Sequence, residues 1–165
     1  MKITIYLAAA ANGMISNGRN VPDWLSPEYG KGFMDICQQK KAVIMGKTTY
    51  NILAPDYLPL KDEGILVVLT HDTKAVPPFS NTVFTDSSPV EIVQLLEEKG
   101  YNEAVIIGGT ATVSAFMKAK LVNELILVVE PRVFGTGLPL LKDVDEEFSL
   151  RLSGVQQLNT DTVQL

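Results

Sequence analysis

The chain has 165 residues, 46% apolar and 20% charged, with 14 Lys and Arg against 19 Asp and Glu for a net charge of −5. That length fits one domain with a sizeable core, and the apolar share argues against disorder. The acidic balance argues against a general nucleic-acid binder and against docking on an anionic membrane surface.

Ile3 to Ala10 reads as a buried strand ending in small side chains, Ala8 to Ala11, which leave room for something to lie against the backbone. Its apolar stretch is not followed by a cleavage signal, and no run approaches a membrane span, so a cytoplasmic protein is expected. Asn12-Gly13 is a turn signal, and Met14-Ile15 precedes a second loop, Ser16 to Asn20. Ser26 as N-cap, Pro27 at N1 and Glu28 in the first turn start a helix. Tyr29, Phe33, Ile36 and Cys37 share one face of it, while Gly30 and Gly32 weaken it. Cys37 reads as a small buried hydrophobe, not a nucleophile. It is the single cysteine and His71 the single histidine, which excludes an internal disulfide and a Cys/His zinc site; no metal site is assigned.

Ala42 to Met45 is a short apolar run that ends at Gly46 and passes into Lys47-Thr48-Thr49. Glycine admits close approach, a threonine can cap a helix whose free N–H groups attract anions, and lysine adds a charge. The match to a P-loop fails because Lys41 stands where that pattern needs glycine. Read alone, the stretch is a strand end with a solvated lysine; a second junction of the same kind raises the phosphate reading. Thr48 to Leu53 is expected to be a short helix ended before Pro55, and Asp56 to Gly64 a loop. Ile65 to Thr70 reads as a strand buried on both faces, followed by His71, a surface loop residue or, as the minority reading, a ligand contact.

Val83 to Thr85 is a short strand, and Ser88-Pro89-Val90-Glu91 is a capping box that opens a helix with Ile92, Val93, Leu95 and Leu96 buried and Gly100 at C′. Ala104 to Ile107 runs into Gly108-Gly109-Thr110-Ala111-Thr112, the second junction, and a helix with Val113, Phe116 and Met117 on one face. The glycines do not spell a Rossmann fingerprint. Leu125 to Val129 is a strand, Val133 to Leu141 a glycine-punctuated loop, and Phe148 to Leu152 alternates as a half-exposed strand. A last strand starts at Thr162, with a few residues expected to follow Leu165. Strands alternating with helices through the first two thirds, then a strand-rich end, predict an α/β fold. Its sheet is mixed and mostly parallel, with antiparallel C-terminal strands, in a single domain over 1–165.

Four segments in this order carry a family resemblance: Ala8 to Ser16, Val43 to Tyr50, Val105 to Thr110 and Pro131 to Leu140. Together they resemble the dihydrofolate reductase superfamily, and within it the branch related to the reductase domain of bacterial riboflavin biosynthesis. The resemblance implies NADPH laid across the strand ends. It implies Gly46, Lys47, Thr48 and Thr49 at the 2′-phosphate and pyrophosphate, and Leu69, Thr70 and His71 at the adenosine end. It further implies Gly108, Gly109, Thr110, Ala111 and Thr112 at the pyrophosphate, and Ala8 and Ile15 flanking the nicotinamide.

The chain also departs from that family. Where dihydrofolate reductases carry a helix carboxylate, an ungapped count from Gly46 gives Gly30; a one-residue shift gives Tyr29 and aligns Phe33 with the substrate-stacking aromatic. The hydroxyl paired with that carboxylate falls at Val128, and no catalytic residue is assigned. Trp24, Tyr29 and Phe33 are expected to wall the substrate, or else to form a core aromatic cluster. The expected function is an NADPH-dependent reductase of a small pterin- or pyrimidine-like heterocycle, dimeric like its relatives. The alternative is a nucleotide-binding module of this fold without turnover.

Overall fold

A computed structural model describes residues 1–54, 57–58, 60 and 63–165. The expected helix stop at Pro55, and Asp56 within the expected loop, lie outside the described residues. The chain opens with β1 (Lys2–Ala10) and β2 (Met14–Asn17), then α1 (Pro27–Lys40), β3 (Ala42–Gly46), α2 (Lys47–Leu53), β4 (Ile65–Leu69) and β5 (Thr82–Thr85). It continues with α3 (Pro89–Glu98), β6 (Glu103–Ile106), α4 (Thr110–Lys118), β7 (Glu124–Glu130), β8 (Gly137–Pro139), β9 (Gln156–Gln157) and β10 (Val163–Gln164). The large sheet has the order β5-β4-β3-β6-β1-β7-β10-β9, and β2 pairs with β8 in a separate ribbon. The six strands from β5 to β7 run parallel, and β10 and β9 add antiparallel pairs at one end. This is the expected α/β architecture.

Side-chain alternation explains why the central strands are apolar throughout. Tyr6, Ala8, Val43, Met45, Leu66 and Val68 face one cluster with Tyr29, Phe33 and Cys37 of α1 and Tyr50 of α2. Ile5, Leu7, Ala42, Ile44, Ile65 and Val67 face a second with Ile92 and Leu96 of α3 and Val113 and Phe116 of α4. A strand covered by helices on both faces has no position for a polar side chain to reach water. Burial raises the Cys37 thiol well above its ordinary pKa, which keeps it an unreactive core residue. Among the described residues, no helix is long and apolar enough to cross a membrane.

Local signals placed the helix starts. Ser26 accepts from the Tyr29 N–H, and Ser88 and Glu91 form the full capping box. One expected strand is absent: Phe148 to Leu152 joins no sheet, with Leu150 70% and Leu152 67% exposed. The Asn159 side chain accepts from the Asp161 and Thr162 N–H groups and closes a hairpin that instead pairs Gln156 and Gln157 with Gln164 and Val163. Residues 148–152 therefore meet no partner strand among the described residues. Conversely, the expected loop Val133–Leu141 contributes β8 to the ribbon with β2.

The two α1 glycines differ. The Tyr6 hydroxyl, which donates to the Tyr29 carbonyl at 3.3 Å, occupies the space a Gly32 side chain would enter. Around Gly30 a Cβ would meet nothing within 4 Å. Gly32→Ala is expected to destabilise by about 1–3 kcal/mol through overpacking. Gly30→Ala, relieving helix-interior glycine entropy, should stabilise by about 0.5–1 kcal/mol. Urea unfolding of the two variants should give opposite signs; equal effects would mean Tyr6 is not what fixes Gly32.

Candidate functional site

The site forms where the chain reverses its direction across the parallel strands. The chain moves outward from β3 to β4 and β5, then returns to insert β6 between β3 and β1. From the ends of adjacent β3 and β6, α2 departs over the face of the first cluster and α4 over the face of the second. Strand ends whose following helices diverge to opposite faces leave a crevice at the carboxyl edge of a parallel sheet.

The two glycine junctions flank this crevice. The Gly46 N–H donates to the Gly108 carbonyl at 2.9 Å and the Ile107 N–H to the Ile44 carbonyl at 3.0 Å. Both helices start from glycine N-caps, Gly46 and Gly109, and among the described residues no side chain caps their first N–H groups. Those donors remain open to an external acceptor, and on the nine-residue α4 they add to the helix dipole. The peptide between Gly108 and Gly109 is cis, and Gly108 has φ +125°, outside the ordinary range for a side-chain-bearing residue. A Cβ on Gly46 would stand 3.0 Å from Thr112 Oγ1, and one on Gly108 3.2 Å from Thr49 Oγ1. The junction is therefore a glycine-lined cradle with two threonine hydroxyls in it. Thr110 turns away and donates to the Pro139 carbonyl at 2.6 Å, tying α4 to the β2–β8 ribbon.

The other expected residues distribute along the same rim. Leu69 ends β4 beside Gly46, Thr70 follows it, and His71 is exposed. The Thr70 N–H donates to the Thr85 carbonyl at 2.8 Å, and its hydroxyl accepts from the Asp72 N–H at 3.1 Å. Ala8 lies on β1 on the α1 side, whereas Ile15 packs against the second cluster, so the two sit toward opposite faces. Thr48 and Ala111 are exposed at the helix starts. Trp24, Tyr29 and Phe33 are buried in the first cluster. Tyr29 stacks on Tyr6 with ring centroids 5.3 Å apart and lies 6.3 Å from Phe33; Trp24 meets Phe134 edge-on at 5.1 Å. Burial pushes the Tyr6 phenol up to about 12 and raises Tyr29 further, so both stay protonated at neutral pH.

Three residues outside the expected set shape this region. Lys47 Nζ sits 3.7 Å from the Phe84 ring centroid and 4.7 Å from that of Tyr50. Tyr50 was readable, because i and i+3 share a helix face; Phe84 arrives from β5 and leaves no local trace. Glu130 is 1% exposed at the end of β7. Its carboxylate accepts from the Ser26 N–H at 2.9 Å, the Ser26 hydroxyl at 2.7 Å and the Thr162 hydroxyl at 3.0 Å. It thereby joins the start of α1 to β7 and β10, beside a cleft of about 340 Å³ lined by Trp24, Pro27 and Arg132. An apolar strand followed by Glu-Pro gives no hint of that role.

A mostly parallel sheet with an antiparallel C-terminal addition and glycine junctions on adjacent strands is the dihydrofolate reductase-like α/β fold. The RibD C-terminal domain family model matches residues 1–164, and the chain belongs to that family. It is 32% identical to the uncharacterized protein YwjB of Bacillus subtilis (strain 168), over 99% of this chain and 95% of that one. A candidate riboflavin biosynthesis protein from Shewanella sp. PV-4 superposes with a TM-score of 0.85 at 22% identity, covering 99% and 96% of the two chains. Schistosoma mansoni dihydrofolate reductase superposes at 0.65 with 21% identity, covering 99% and 95%. Against the riboflavin biosynthesis protein RibD of Aquifex aeolicus (strain VF5), 19% identical, the match covers 98% of this chain and 56% of the relative.

Removing the buried carboxylate should be costly. Glu130→Ala strands a buried N–H and two hydroxyls, and is expected to lower the unfolding free energy by roughly 2–4 kcal/mol. Glu130→Gln retains an acceptor for Ser26 and should cost less than half as much. Chemical denaturation of both variants tests this; equal losses would assign the effect to packing rather than hydrogen bonding.

Proposed function

We propose that this single domain is an NADPH-dependent reductase that transfers a hydride to a small pterin- or pyrimidine-like heterocycle. The observation that carries the reading is the pair of uncapped glycine junctions facing one crevice, with Lys47 at its edge. Family membership and the reductase fold support it. The cradle suits a phosphate chain: Gly46 and Gly108 leave room for the Thr112 and Thr49 hydroxyls to approach, and the α4 start adds free N–H groups.

In this reading Lys47, Thr48 and Thr49 hold the 2′-phosphate side and pyrophosphate, with Gly108 to Thr112 completing the pyrophosphate site. Leu69, Thr70 and His71 border the adenosine, and Ala8 and Ile15 flank the nicotinamide. When bound, NADPH supplies the hydride. The protein's own part is positioning and electrostatics. Trp24, Tyr29 and Phe33 wall the substrate side and exclude water, and Tyr6 and Tyr29 act as neutral surfaces because their phenols keep their protons.

One observation favours the second reading, a nucleotide-binding module without turnover. Neither Tyr29 nor Gly30 supplies a carboxylate on α1, and Glu130 is committed to Ser26 and Thr162. The two readings separate on whether bound NADPH is oxidised by any pterin or pyrimidine acceptor.

The assembly we propose is a cytoplasmic homodimer. Leu150, Leu152 and Val155, each more than 60% exposed on the segment leading into β9, support a covered face there. Sedimentation should give twice the monomer mass, and a Leu150→Asp/Leu152→Asp double variant should sediment as monomer. A monomeric wild type would remove the dimer from the proposal.

Lys47→Ala is expected to weaken NADPH by about 1–3 kcal/mol, the range for a charge-assisted contact, with NADH unaffected. Calorimetric titration of both nucleotides checks it. Unchanged NADPH affinity would take Lys47 out of the phosphate site, and no NADPH binding by the wild type would end the reductase reading.

A further inference from the structure

Lys47 is oriented by two aromatic rings. Its ammonium lies 3.7 Å from the centroid of Phe84 and 4.7 Å from that of Tyr50. The rings stand at 85° to each other with centroids 5.3 Å apart, so they form two walls of a corner. Among the described residues Lys47 pairs with no carboxylate. Tyr50 is 4% exposed and packs in the first cluster, against which Phe84 also packs, so neither ring is free to move away. Among the described residues the buried Tyr50 hydroxyl has no partner, and it is the ring face that Lys47 overlies.

We propose that Phe84 and Tyr50 form an aromatic seat that fixes the Lys47 ammonium, and that this seat sets how strongly the crevice prefers NADPH over NADH. The proposal rests on the reading that the crevice binds these nucleotides. Its physical basis is a difference between two ways of holding a lysine. A carboxylate would orient the ammonium but neutralise it. A ring face attracts the cation through its quadrupole and leaves the full charge. The ammonium has three N–H donors; those pointing away from the rings remain available to phosphate oxygens. A lysine on a flexible four-carbon stem is otherwise a diffuse charge, and ordering it in advance lowers the cost of binding. Only the ligand carrying the extra phosphate gains. Phe84 and Tyr50 are thus positioning residues, acting through Lys47.

The first measurement needs no ligand. In wild-type protein with labelled lysine, the Lys47 ε-methylene, assigned by its loss in Lys47→Met, should resonate upfield of the other lysines through the ring current of Phe84. A random-coil position would overturn the seat. The second measurement is the ratio of NADPH to NADH dissociation constants. Phe84→Leu keeps apolar volume and removes the ring face; NADPH should weaken about 3–10-fold and NADH should not change. Tyr50→Phe keeps the face and should leave both constants unchanged. If Lys47→Met collapses the ratio while Phe84→Leu leaves it at the wild-type value, the seat is wrong and the nucleotide reading stands. If the wild type binds neither nucleotide, the reading beneath the proposal fails with it. Should Phe84→Leu not fold, the ring-current shift still decides.

Discussion

The rest of the structure depends on the return of β6 into the gap between β3 and β1. That pairing is secured at its carboxyl end by the hydrogen bond from the Gly46 N–H to the Gly108 carbonyl, 2.9 Å long. It brings together two strand ends that are more than sixty positions apart in sequence. Neither junction is a site alone. Each is a glycine after a strand, with a helix start that lacks a side-chain cap. Side by side, with α2 and α4 diverging to opposite faces, they become a crevice with unspent donors. The glycines are needed because a Cβ on Gly46 or Gly108 would stand 3.0 or 3.2 Å from the other junction's threonine hydroxyl.

The walls of the crevice are held by different chemistry. On the α1 side, aromatic packing does most of the work: Tyr6 on Tyr29, Tyr29 toward Phe33, Trp24 against Phe134. One buried charge intrudes, at Glu130. A carboxylate removed from water is tolerable only if its lone pairs are used. Here they are, by the backbone and hydroxyl of Ser26 and by Thr162. Ser26 also caps α1, so the same residue that starts the helix anchors it to β7 and β10. The start of α1 and the antiparallel addition are thus joined through one carboxylate.

Much of this was legible because it is written locally. Ser26-Pro27-Glu28 and Ser88-Pro89-Val90-Glu91 specify helix starts within four residues, and continuous apolar runs at β3, β4 and β6 specify strands covered on both faces. What failed or was missed is non-local. The alternation at Phe148 to Leu152 is genuine, but alternation tells which side of a strand is polar and not whether a neighbour exists to pair with it. The Asn159 turn set a register that used Gln156 and Gln157 instead. Gly30 and Gly32 looked alike in sequence; only the Tyr6 hydroxyl separates them. Phe84 shows the same limit, because its partner Lys47 lies thirty-seven positions earlier and on another element.

The placement of β1 has a consequence for how the protein comes into being. It is nearly central in the finished sheet, yet both of its neighbours come about a hundred positions or more later in the chain. Lys2 aligns with Glu103 on β6, and Thr4 with Glu124 on β7. At ordinary synthesis rates the strand spends roughly 5–20 s outside or within the ribosome before its first partner exists. For that interval eight residues buried in the finished sheet, Ile3 to Ala10, have no ladder to join. Closing loops of this length costs chain entropy that the local contacts of a helix do not.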